Sequence, residues 1–391
     1  MNTLTEQINT FIDEKREEIF ASWADIVRLE SYYDDPDGLA ALANYLKAKF
    51  EAEGLCCRLI PVGNGRGQVL SGILGEDRPG KAILFSGHMD TVFPKGSFGE
   101  EPFQIKDGKA FGPGVLDMKG GIIISLYAIK ALNHIGYTDH PIRILFCGDE
   151  ETLHKDAKTA DILIEESKGC LCAFNMETGI PDGSLCIARK GKTEAVISVK
   201  GVSAHAGNDF TSGRNAIVEM CKKLDEIQAL TNFQLGTTVN IGTIQGGTMS
   251  GAVPDYCEAK IDLRATKVSE MENVKQRLEE ICDKTFLTGT STKVHYSMEM
   301  LPFEPTEAVM KLYDFVHQVS IQHNLGDPAS IKLGGSSDAS YLTLAGTPTL
   351  CSCGVRGQWN HTDKEYAFAE SMLERAKLWA TVITELDSFQ L

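Results

Sequence analysis

The sequence predicts an α/β protein with a mixed, mostly parallel sheet covered by helices on both faces and an inserted ferredoxin-like α+β domain. In the first and last thirds of the chain, short apolar runs of strand length lie between segments with helical periodicity. In the middle, segments with strand alternation and helical segments follow each other in the order β-α-β-β-α-β. At about 150 residues per domain, 391 residues predict two or three domains.

The outer segments of the chain supply the predicted main sheet and its helices. Helical spacing of apolar residues predicts a helix from about Leu4 to Val27 and another from about Pro36 to Glu53. Buried strands are predicted at Ala82–Phe85, Ile142–Cys147, Leu171–Phe174 and Thr347–Cys353. Further helices are predicted at Ile122–Leu132, Thr159–Glu166, Thr306–His323 and Ala369–Leu386.

The middle segment has a different pattern, which predicts a separate domain at residues 191–302. Its strands are predicted at Lys192–Val202, Thr237–Ile244, Tyr256–Ala265 and Lys293–Met298, and its helices at Asn215–Leu230 and Glu270–Asp283. The chain on either side, residues 1–190 and 303–391, would then form one discontinuous domain.

Composition and charge exclude several classes of partner. The net charge of −16 disfavours nucleic acid and anionic membranes as main partners, because both would repel the chain. No stretch approaches the roughly 20 apolar residues of a membrane span, and the N-terminus lacks the apolar core of a signal peptide, which predicts a cytoplasmic protein. The 11 cysteines include no C-x-x-C pair and are predicted to be reduced thiols.

Acidic and histidine side chains follow the predicted buried strands, at the point where each strand ends. His88 and Asp90 follow the first strand, Glu150 and Glu151 the second, and Glu177 the third. Because binding crevices of α/β sheets lie beyond the carboxyl ends of the strands, these side chains should converge. A Gly-rich loop brings Asp117 to the same edge, and the fourth strand leads to His361.

Several carboxylates in one crevice repel each other unless a cation offsets their charge. Imidazole and carboxylate are the ligands that borderline divalent metals prefer, and Asp117 is suited to bridge two ions about 3.5 Å apart. In the pattern His88-x-Asp90, His88 can bind metal while Asp90 holds the other ring nitrogen. Of Glu150 and Glu151, one can bind metal and the other can carry protons. Each motif by itself also fits a solvated surface, so the coincidence at successive strand ends carries the prediction.

At these residues the sequence resembles the co-catalytic zinc peptidase family of glutamate carboxypeptidase, aminoacylase, acetylornithine deacetylase and succinyl-diaminopimelate desuccinylase. The resemblance extends from about Gly87 to Tyr366 and looks closest to the glutamate carboxypeptidase branch. The motifs that carry it, in family order, are SGHMDTVFPKG, GKAFGPGVLDMKGG, CGDEE, NMETG, GVSAHAG, GGSSDASYL and NHTDKEY.

The resemblance implies a zinc-peptidase/phosphorylase-like catalytic domain that binds two zinc ions, with cobalt or manganese as alternatives. It implies that His88, Asp117 and Glu177 bind one ion and that Asp117, Glu151 and His361 bind the other. It also implies that Asp90 orients His88.

The family pattern also implies roles in catalysis, substrate binding and assembly. Glu150 would activate the metal-bridging water and then protonate the leaving amine. His205, in a lid domain that mediates homodimerisation, would stabilise the oxyanion in the partner's site. Arg264 would bind the substrate carboxylate, and Gly335 and Ser336 would line the substrate pocket.

Two departures from the family pattern affect the substrate region. Gly251 stands where the family often has Asn, and Thr152-Leu153-His154 follows the glutamate pair where the family usually has Gly-Ser. The histidines that match no motif are predicted to be structural or solvated: His134, His140, His154, His295, His317 and His323.

The sequence therefore predicts a hydrolase that cleaves an amide bond next to a free carboxylate in a small peptide or N-acyl amino acid. The favoured activity is that of a carboxypeptidase releasing a C-terminal amino acid. An N-acyl-amino-acid deacylase, such as an acetylornithine deacetylase or a succinyl-diaminopimelate desuccinylase, is the alternative within the same fold. A non-catalytic binding protein is the alternative of another class.

Overall fold

The computed structural model describes residues 3–63, 65 and 67–390, and the chain divides into two compact units. The larger unit comprises Met1–Ala188, Pro305–Lys332 and Ser337–Leu391, and the smaller unit comprises Arg189–Glu304 and Leu333–Ser336. The smaller unit thus contains the segment 191–302, for which the sequence predicts an inserted domain, together with a short later segment.

Apart from the unpredicted α9 and the division of the first predicted helix into α1 and α2, the helices of the described residues correspond to the predicted ones. They are α1 (Leu4–Glu14), α2 (Arg16–Arg28), α3 (Pro36–Ala52), α4 (Gly120–His134), α5 (Thr159–Ser167), α6 (Ala216–Gln228), α7 (Val268–Asp283), α8 (Glu307–Gln322), α9 (Ala339–Leu344) and α10 (Ala369–Glu385). Short non-α helical turns occur at Val115–Lys119, Glu150–Thr152, Phe210–Ser212 and Leu386–Ser388.

The strands include both long sheet members and short pairs. They are β1 (Cys56–Pro61), β2 (Gln68–Leu74), β3 (Ile83–His88), β4 (Gln104–Lys106), β5 (Lys109–Phe111), β6 (Ile142–Cys147), β7 (Cys172–Asn175), β8 (Leu185–Arg189), β9 (Gly191–Lys200), β10 (Ala204–His205), β11 (Thr238–Gly246), β12 (Ala252–Val253), β13 (Tyr256–Ala265), β14 (Ser291–Met300), β15 (Ser330–Leu333), β16 (Thr349–Leu350), β17 (Gly357–Gln358) and β18 (Tyr366–Phe368).

The central sheet of the larger unit has the strand order β1-β2-β6-β3-β7-β16. Strands β6, β3, β7 and β16 run parallel, and β2 and β1 extend the sheet in antiparallel pairs. Strand β3 is buried along its whole length, which requires cover on both faces of the sheet. The predicted fold class is therefore confirmed, and the parallel strands β3, β6 and β7 end at the same edge.

Some elements differ from the sequence prediction. The single helix expected from Leu4 to Val27 is wrong, because α1 and α2 meet at Lys15, whose backbone lies outside the helical region at φ −86° and ψ 3°. The antiparallel strands β1 and β2 were not predicted. Arg58 interrupts the apolar residues of β1, which is only exposed or half-buried, and Ser71 and Gly72 interrupt those of the mostly buried β2, so neither strand has a continuous apolar run.

The smaller unit contains a four-stranded antiparallel sheet in the order β11-β13-β9-β14. Along the chain, its elements follow the order β9, α6, β11, β13, α7, β14, which is the ferredoxin-like pattern. In β9, alternate residues such as Ala195, Ile197 and Val199 are buried in one core with apolar residues of α6 and α7. This alternation is the signal from which the sequence predicted the strand.

None of the helices among the described residues combines the length and apolar character that a membrane crossing requires. The 11 cysteines are free thiols, of which Cys56 and Cys221 are exposed and most of the others are buried. The packing of both units therefore does without disulfide cross-links.

A buried ion pair joins α6 to the end of α7 in the smaller unit. Lys223 and Glu219 are both fully buried, with Lys223 Nζ 3.0 Å from Glu219 Oε1. The ammonium also donates to the carbonyl of Cys282 at 2.8 Å and to that of Lys284. Glu219 accepts from the backbone N–H of Leu287 at 2.6 Å. Each charge is thus paired and hydrogen-bonded, which offsets the cost of burying it.

Replacing Lys223 with Met should destabilise the smaller unit, because Glu219 would remain as a buried charge without its partner. We expect the free energy of unfolding in a urea titration to fall by about 3–5 kcal/mol. The exposed neighbour Lys222 provides the matched control, and Lys222→Met should change the free energy by less than about 0.5 kcal/mol. Equal effects of the two substitutions would contradict the structural role of the pair.

Candidate metal centre

The ends of three parallel strands, the turn before α4 and the segment between β17 and β18 bring seven side chains of the larger unit together. Strand β3 ends at His88 and leads to Asp90, β6 leads through Gly148 to the helical turn Glu150–Thr152, and β7 leads to Glu177. The turn Val115–Lys119 precedes α4 and carries Asp117. The side chains that converge there are His88, Asp90, Asp117, Glu150, Glu151, Glu177 and His361.

Three of these residues form a first group of potential metal ligands. His88 Nε2 lies 3.1 Å from Asp117 Oδ1 and 3.5 Å from Glu177 Oε1. His88, Asp117 and Glu177 are all buried. The three ligand atoms lie within 4.8 Å of one another, which is close enough for one cation to contact all of them.

A second group of potential ligands shares Asp117 with the first. His361 Nε2 lies 3.2 Å from Asp117 Oδ2 and 3.1 Å from Glu151 Oε2. The two oxygens of Asp117 thus face different groups, Oδ1 towards His88 and Oδ2 towards His361. This is the arrangement of a carboxylate that can bridge two cations.

Two residues that the sequence analysis did not single out hold Asp117 in place. Asn360 donates its side-chain N–H to Asp117 Oδ2 at 2.9 Å. The fully buried Glu365 accepts from the backbone N–H groups of Leu116 and Asp117, at 2.8 and 3.3 Å. Burial raises the pKa of Glu365 to about 8. Both residues lie in the motif NHTDKEY, where they flank His361, and this proximity was the available signal.

Asp90 contacts two parts of the cluster. Its backbone carbonyl lies 3.0 Å from His88 Nδ1, and one carboxylate oxygen lies 3.3 Å from the same nitrogen. The carboxylate also accepts from the backbone N–H groups of Glu150 and Glu151, at 3.2 and 2.9 Å. The carboxylate therefore connects the turn that carries the two glutamates to the end of β3, a contact that the sequence analysis did not predict.

Glu150 lies at the beginning of the turn, and its side chain is buried next to the potential ligands. Burial raises its pKa well above the usual range of a carboxyl group, and the nearby Glu177 raises it further, whereas His88 acts in the opposite direction. A carboxyl group in such surroundings binds a proton readily, as a group that accepts and later returns a proton requires.

The charge balance of the cluster favours bound cations. Hydrogen bonds to Asp117 and Glu151 raise the pKa of His361 to about 11, and burial raises that of Glu151 to about 7. The carboxylates thus bind positive charge strongly at this position. Glu151 Oε1 is buried without a hydrogen-bond partner among the described residues. An unpaired carboxylate oxygen, two imidazoles and a shared aspartate fit divalent metal ions with mixed nitrogen and oxygen ligands.

The remaining predicted site residues belong to the smaller unit. His205 is exposed in the short strand β10, and its Nδ1 accepts from the backbone N–H groups of Gly207 and Asn208, at 3.1 and 3.0 Å. The proton of the neutral ring is then on Nε2, which is available as a donor.

The predicted substrate-binding residues of the smaller unit also have partners within it. Arg264 pairs with Asp262 through Nε at 2.9 Å and donates to the carbonyl of Gly334 at 3.0 Å. Gly335 is exposed, and Ser336 is half-buried. The carbonyl of Gly335 accepts from Arg189 at 3.4 Å. These contacts tie the Gly-Ser turn to the sheet that carries Arg264.

Comparison with known proteins gives consistent similarities. A profile described as Peptidase family M20/M25/M40 matches residues 84–385. The chain is 28% identical to carboxypeptidase G2 of Pseudomonas sp. strain RS-16 over 92% of its length and 87% of that protein. It is 29% identical to succinyl-diaminopimelate desuccinylase 2 of Ruegeria sp. strain TM1040 over 82% and 83% of the two chains. Its fold is similar to that of aminopeptidase PepT from Bacillus cereus, with a TM-score of 0.79, 21% identity and coverage of 95% and 99%.

Because Asp117 belongs to both groups of potential ligands, its substitution should reduce the metal content more than substitution of a residue that belongs to one group. Asp117→Ala should abolish binding of divalent metal, because the residue contributes to both groups. Glu177→Ala and Glu151→Ala should each affect one group and leave part of the metal bound. Metal per chain can be measured by elemental mass spectrometry after gel filtration, with circular dichroism to check folding.

The exposed acidic residue Asp363, two positions after His361, provides the control for this series. Asp363→Ala should retain the metal content of the wild type. Full metal content in Asp117→Ala would contradict the assignment of Asp117 to a metal centre.

Proposed function

Because the chain belongs to Peptidase family M20/M25/M40 and is thereby a metal-dependent peptidase or amidohydrolase, we propose that it is a carboxypeptidase that releases a C-terminal amino acid. The observation that carries the proposed amide hydrolysis is the shared Asp117 between two His–carboxylate groups, next to the buried Glu150. The similarity to carboxypeptidase G2 over 92% of the chain supports this activity within the family.

The proposed metals are two zinc ions, with cobalt or manganese as alternatives. His88, Asp117 and Glu177 would hold one ion, and Asp117, Glu151 and His361 the other. Such ions supply Lewis-acid polarisation of the scissile carbonyl and lower the pKa of water.

In the proposed mechanism Glu150 moves the proton. Its carboxylate takes a proton from the attacking water and returns it to the nitrogen of the leaving amino acid. Burial raises the pKa of Glu150, and a carboxyl group with a raised pKa accepts a proton more readily and can then return it. Asp90 would hold the Glu150–Thr152 turn through its hydrogen bonds to the backbone N–H groups of Glu150 and Glu151.

The smaller unit would supply the contacts to the substrate. We propose that Arg264 binds the free carboxylate of the substrate. Three of the five guanidinium N–H donors bond to Asp262 and Gly334, which leaves two for a carboxylate. We propose that His205 stabilises the oxyanion in the site of a partner subunit, since its Nε2–H is available as a donor. Gly335 and Ser336 would line the pocket.

An N-acyl-amino-acid deacylase is the second candidate. The specific observation in its favour is the 29% identity to succinyl-diaminopimelate desuccinylase 2, close to the 28% identity to carboxypeptidase G2. Both reactions break an amide bond whose nitrogen belongs to an amino acid with a free carboxylate. They differ in the acyl side of this bond, which is a peptide residue for the carboxypeptidase and a small acyl group for the deacylase. The metal centre described here serves both reactions, so the substrate decides between them.

A substrate panel tests the proposed activity. The wild-type protein, supplied with Zn²⁺, Co²⁺ or Mn²⁺, should hydrolyse peptides and acyl dipeptides with a free C-terminal amino acid faster than N-acetyl or N-succinyl amino acids. In Glu150→Gln, kcat should fall by about 100- to 10,000-fold while metal content is retained, because only the proton carrier is lost. Wild-type turnover in Glu150→Gln would contradict its role, and exclusive cleavage of N-acyl amino acids would establish the second candidate.

The sheet of the smaller unit supports a homodimer as the proposed assembly. Strands β11 and β14 form its two edges. Strand β11 contains no charged residue and is exposed from Gly242 to its end, with Ile244 47% exposed. Strand β14 carries Lys293, His295 and Glu299. An uncharged exposed edge pairs readily with another strand, whereas charges protect an edge from pairing. We therefore propose that β11 pairs with β11 of a second copy.

A charge placed on β11 should disrupt the dimer. We expect light scattering of the wild-type protein to give twice the chain mass of 42.7 kDa. Ile244→Lys should give the mass of one chain, since a lysine on an edge strand opposes pairing with another strand. His295→Lys, on the exposed face of the other edge strand, provides the control and should remain dimeric. A monomeric wild type, or a dimeric Ile244→Lys, would contradict this interface.

A further inference from the structure

A buried histidine lies between two carboxylates directly behind the glutamate turn. His154 is 5% exposed, and its Nδ1 and Nε2 lie 3.0 Å from Asp149 Oδ1 and 2.7 Å from Asp338 Oδ1. Asp149 also accepts from the hydroxyl of Thr159 at 2.8 Å, and Asp338 from the thiol of Cys147 at 3.1 Å. We call Cys147, Asp149, His154, Thr159 and Asp338 the His154 cluster.

The geometry indicates that the imidazole donates from both ring nitrogens. Each nitrogen has a carboxylate oxygen at hydrogen-bond distance, and carboxylates only accept. Burial lowers the pKa of His154, but the charges of Asp338 and Asp149 outweigh this effect and hold it well above the usual range. In this arrangement the cluster is a charge-assisted hydrogen-bond network in which both ring nitrogens already have carboxylate partners.

The members of the cluster connect separate segments that carry predicted site residues. Asp149 immediately precedes Glu150, and His154 follows the Glu150–Thr152 turn. Asp338 follows the turn that contains Gly335 and Ser336, and it precedes α9. One imidazole thus links the turn that carries the proposed proton carrier to the segment Ser337–Asp338 of the same unit.

The backbone at this point also depends on the cluster. Leu153 and His154 have φ values of 52° and 53°, in the left-handed region that non-glycine residues seldom adopt. Two such residues in succession persist only where surrounding contacts compensate for their cost. The two side-chain hydrogen bonds of His154, together with its backbone N–H bond to the carbonyl of Asp149 at 3.1 Å, provide these contacts.

We propose that His154 is a positioning residue that holds the Glu150–Glu151 turn in register with the Ser337–Asp338 segment. This role rests on the proposed function, in which Glu150 carries the proton and Glu151 binds metal. Without the imidazolium, Asp149 and Asp338 would be buried carboxylates that repel each other. The turn would shift, and both glutamates would leave their positions relative to Asp117 and His361.

The chain provides a matched control in His140. This histidine is 7% exposed in the larger unit, and its ring nitrogens lie 2.8 Å from the carbonyl of Lys81 and 3.0 Å from Asp387 Oδ1. It therefore has similar burial and the same number of hydrogen bonds, but it contacts no residue of the metal centre. Phenylalanine at either position removes both hydrogen bonds and keeps a planar ring.

The experiment compares His154→Phe with His140→Phe in the full-length protein. Both substitutions should lower the melting temperature. In His154→Phe, kcat should fall by about 10- to 100-fold, the range found for residues that orient metal ligands, while KM changes by less than about threefold. The visible absorption spectrum of the Co²⁺-loaded protein should also change, since it reports the ligand geometry at Glu151. In His140→Phe, kcat and the spectrum should equal those of the wild type.

A second substitution keeps the test valid if His154→Phe does not fold. His154→Gln retains an amide donor to one carboxylate and should show an intermediate loss of kcat and an intermediate spectral change. Adding Asp338→Asn to His154→Phe should recover part of kcat, because it removes one of the two unpaired charges.

The proposal is overturned if folded His154→Phe or His154→Gln keeps the kcat and the Co²⁺ spectrum of the wild type. A third tightly bound metal ion per wild-type chain that is lost in His154→Phe would also overturn it. Failure of the proposed function would look different. The wild type would then hydrolyse no substrate of the panel, while the Co²⁺ spectra of the two phenylalanine variants would still show whether His154 positions Glu151.

Discussion

Repulsion among buried carboxylates is the constraint on which the arrangement of the larger unit depends. Asp117, Glu150, Glu151 and Glu177 lie at one edge of the sheet, where water is largely excluded. Four such groups could not remain together without positive charge close by. His88 and His361 supply part of that charge, and the geometry of Asp117, with one oxygen towards each imidazole, divides the cluster into two halves of similar composition.

The parallel strands position some of the charged groups, and side-chain hydrogen bonds position the turns that carry the others. The parallel strands set the spacing of the residues at or just after their ends, such as His88 and Glu177. Asp117 and Glu150 lie on turns, where no neighbouring strand forms hydrogen bonds with the backbone. Their positions depend on buried carboxylates that accept backbone N–H groups, namely Asp90 and Glu365. Acidic residues thus serve in this unit both as potential ligands and as supports of the ligand-bearing backbone.

The sequence predicts this centre better than the network around it, and the reason is distance along the chain. Strand ends and family motifs are local signals, so the elements that carry His88 and Glu177 could be found. Glu365 supports a backbone segment 249 residues away, and His154 pairs with a carboxylate 184 residues away. Periodicity contains no information about such partners. The break between α1 and α2 at Lys15 was missed for a related reason, because apolar spacing continues through it.

The division of the larger unit along the chain has a consequence for its synthesis. The helix α10, which follows the inserted unit along the chain, packs on α4 and α1, and its fully buried Trp379 lies tilted against Phe174 of β7, with ring centroids 4.7 Å apart. Because the ribosome produces the chain from its N-terminus, this core must wait for its last helix while residues 189–304 have already emerged. The inserted unit, whose sheet and helices all lie within that stretch, is therefore the first able to complete its packing. His361 joins the candidate metal centre only after the inserted unit has emerged.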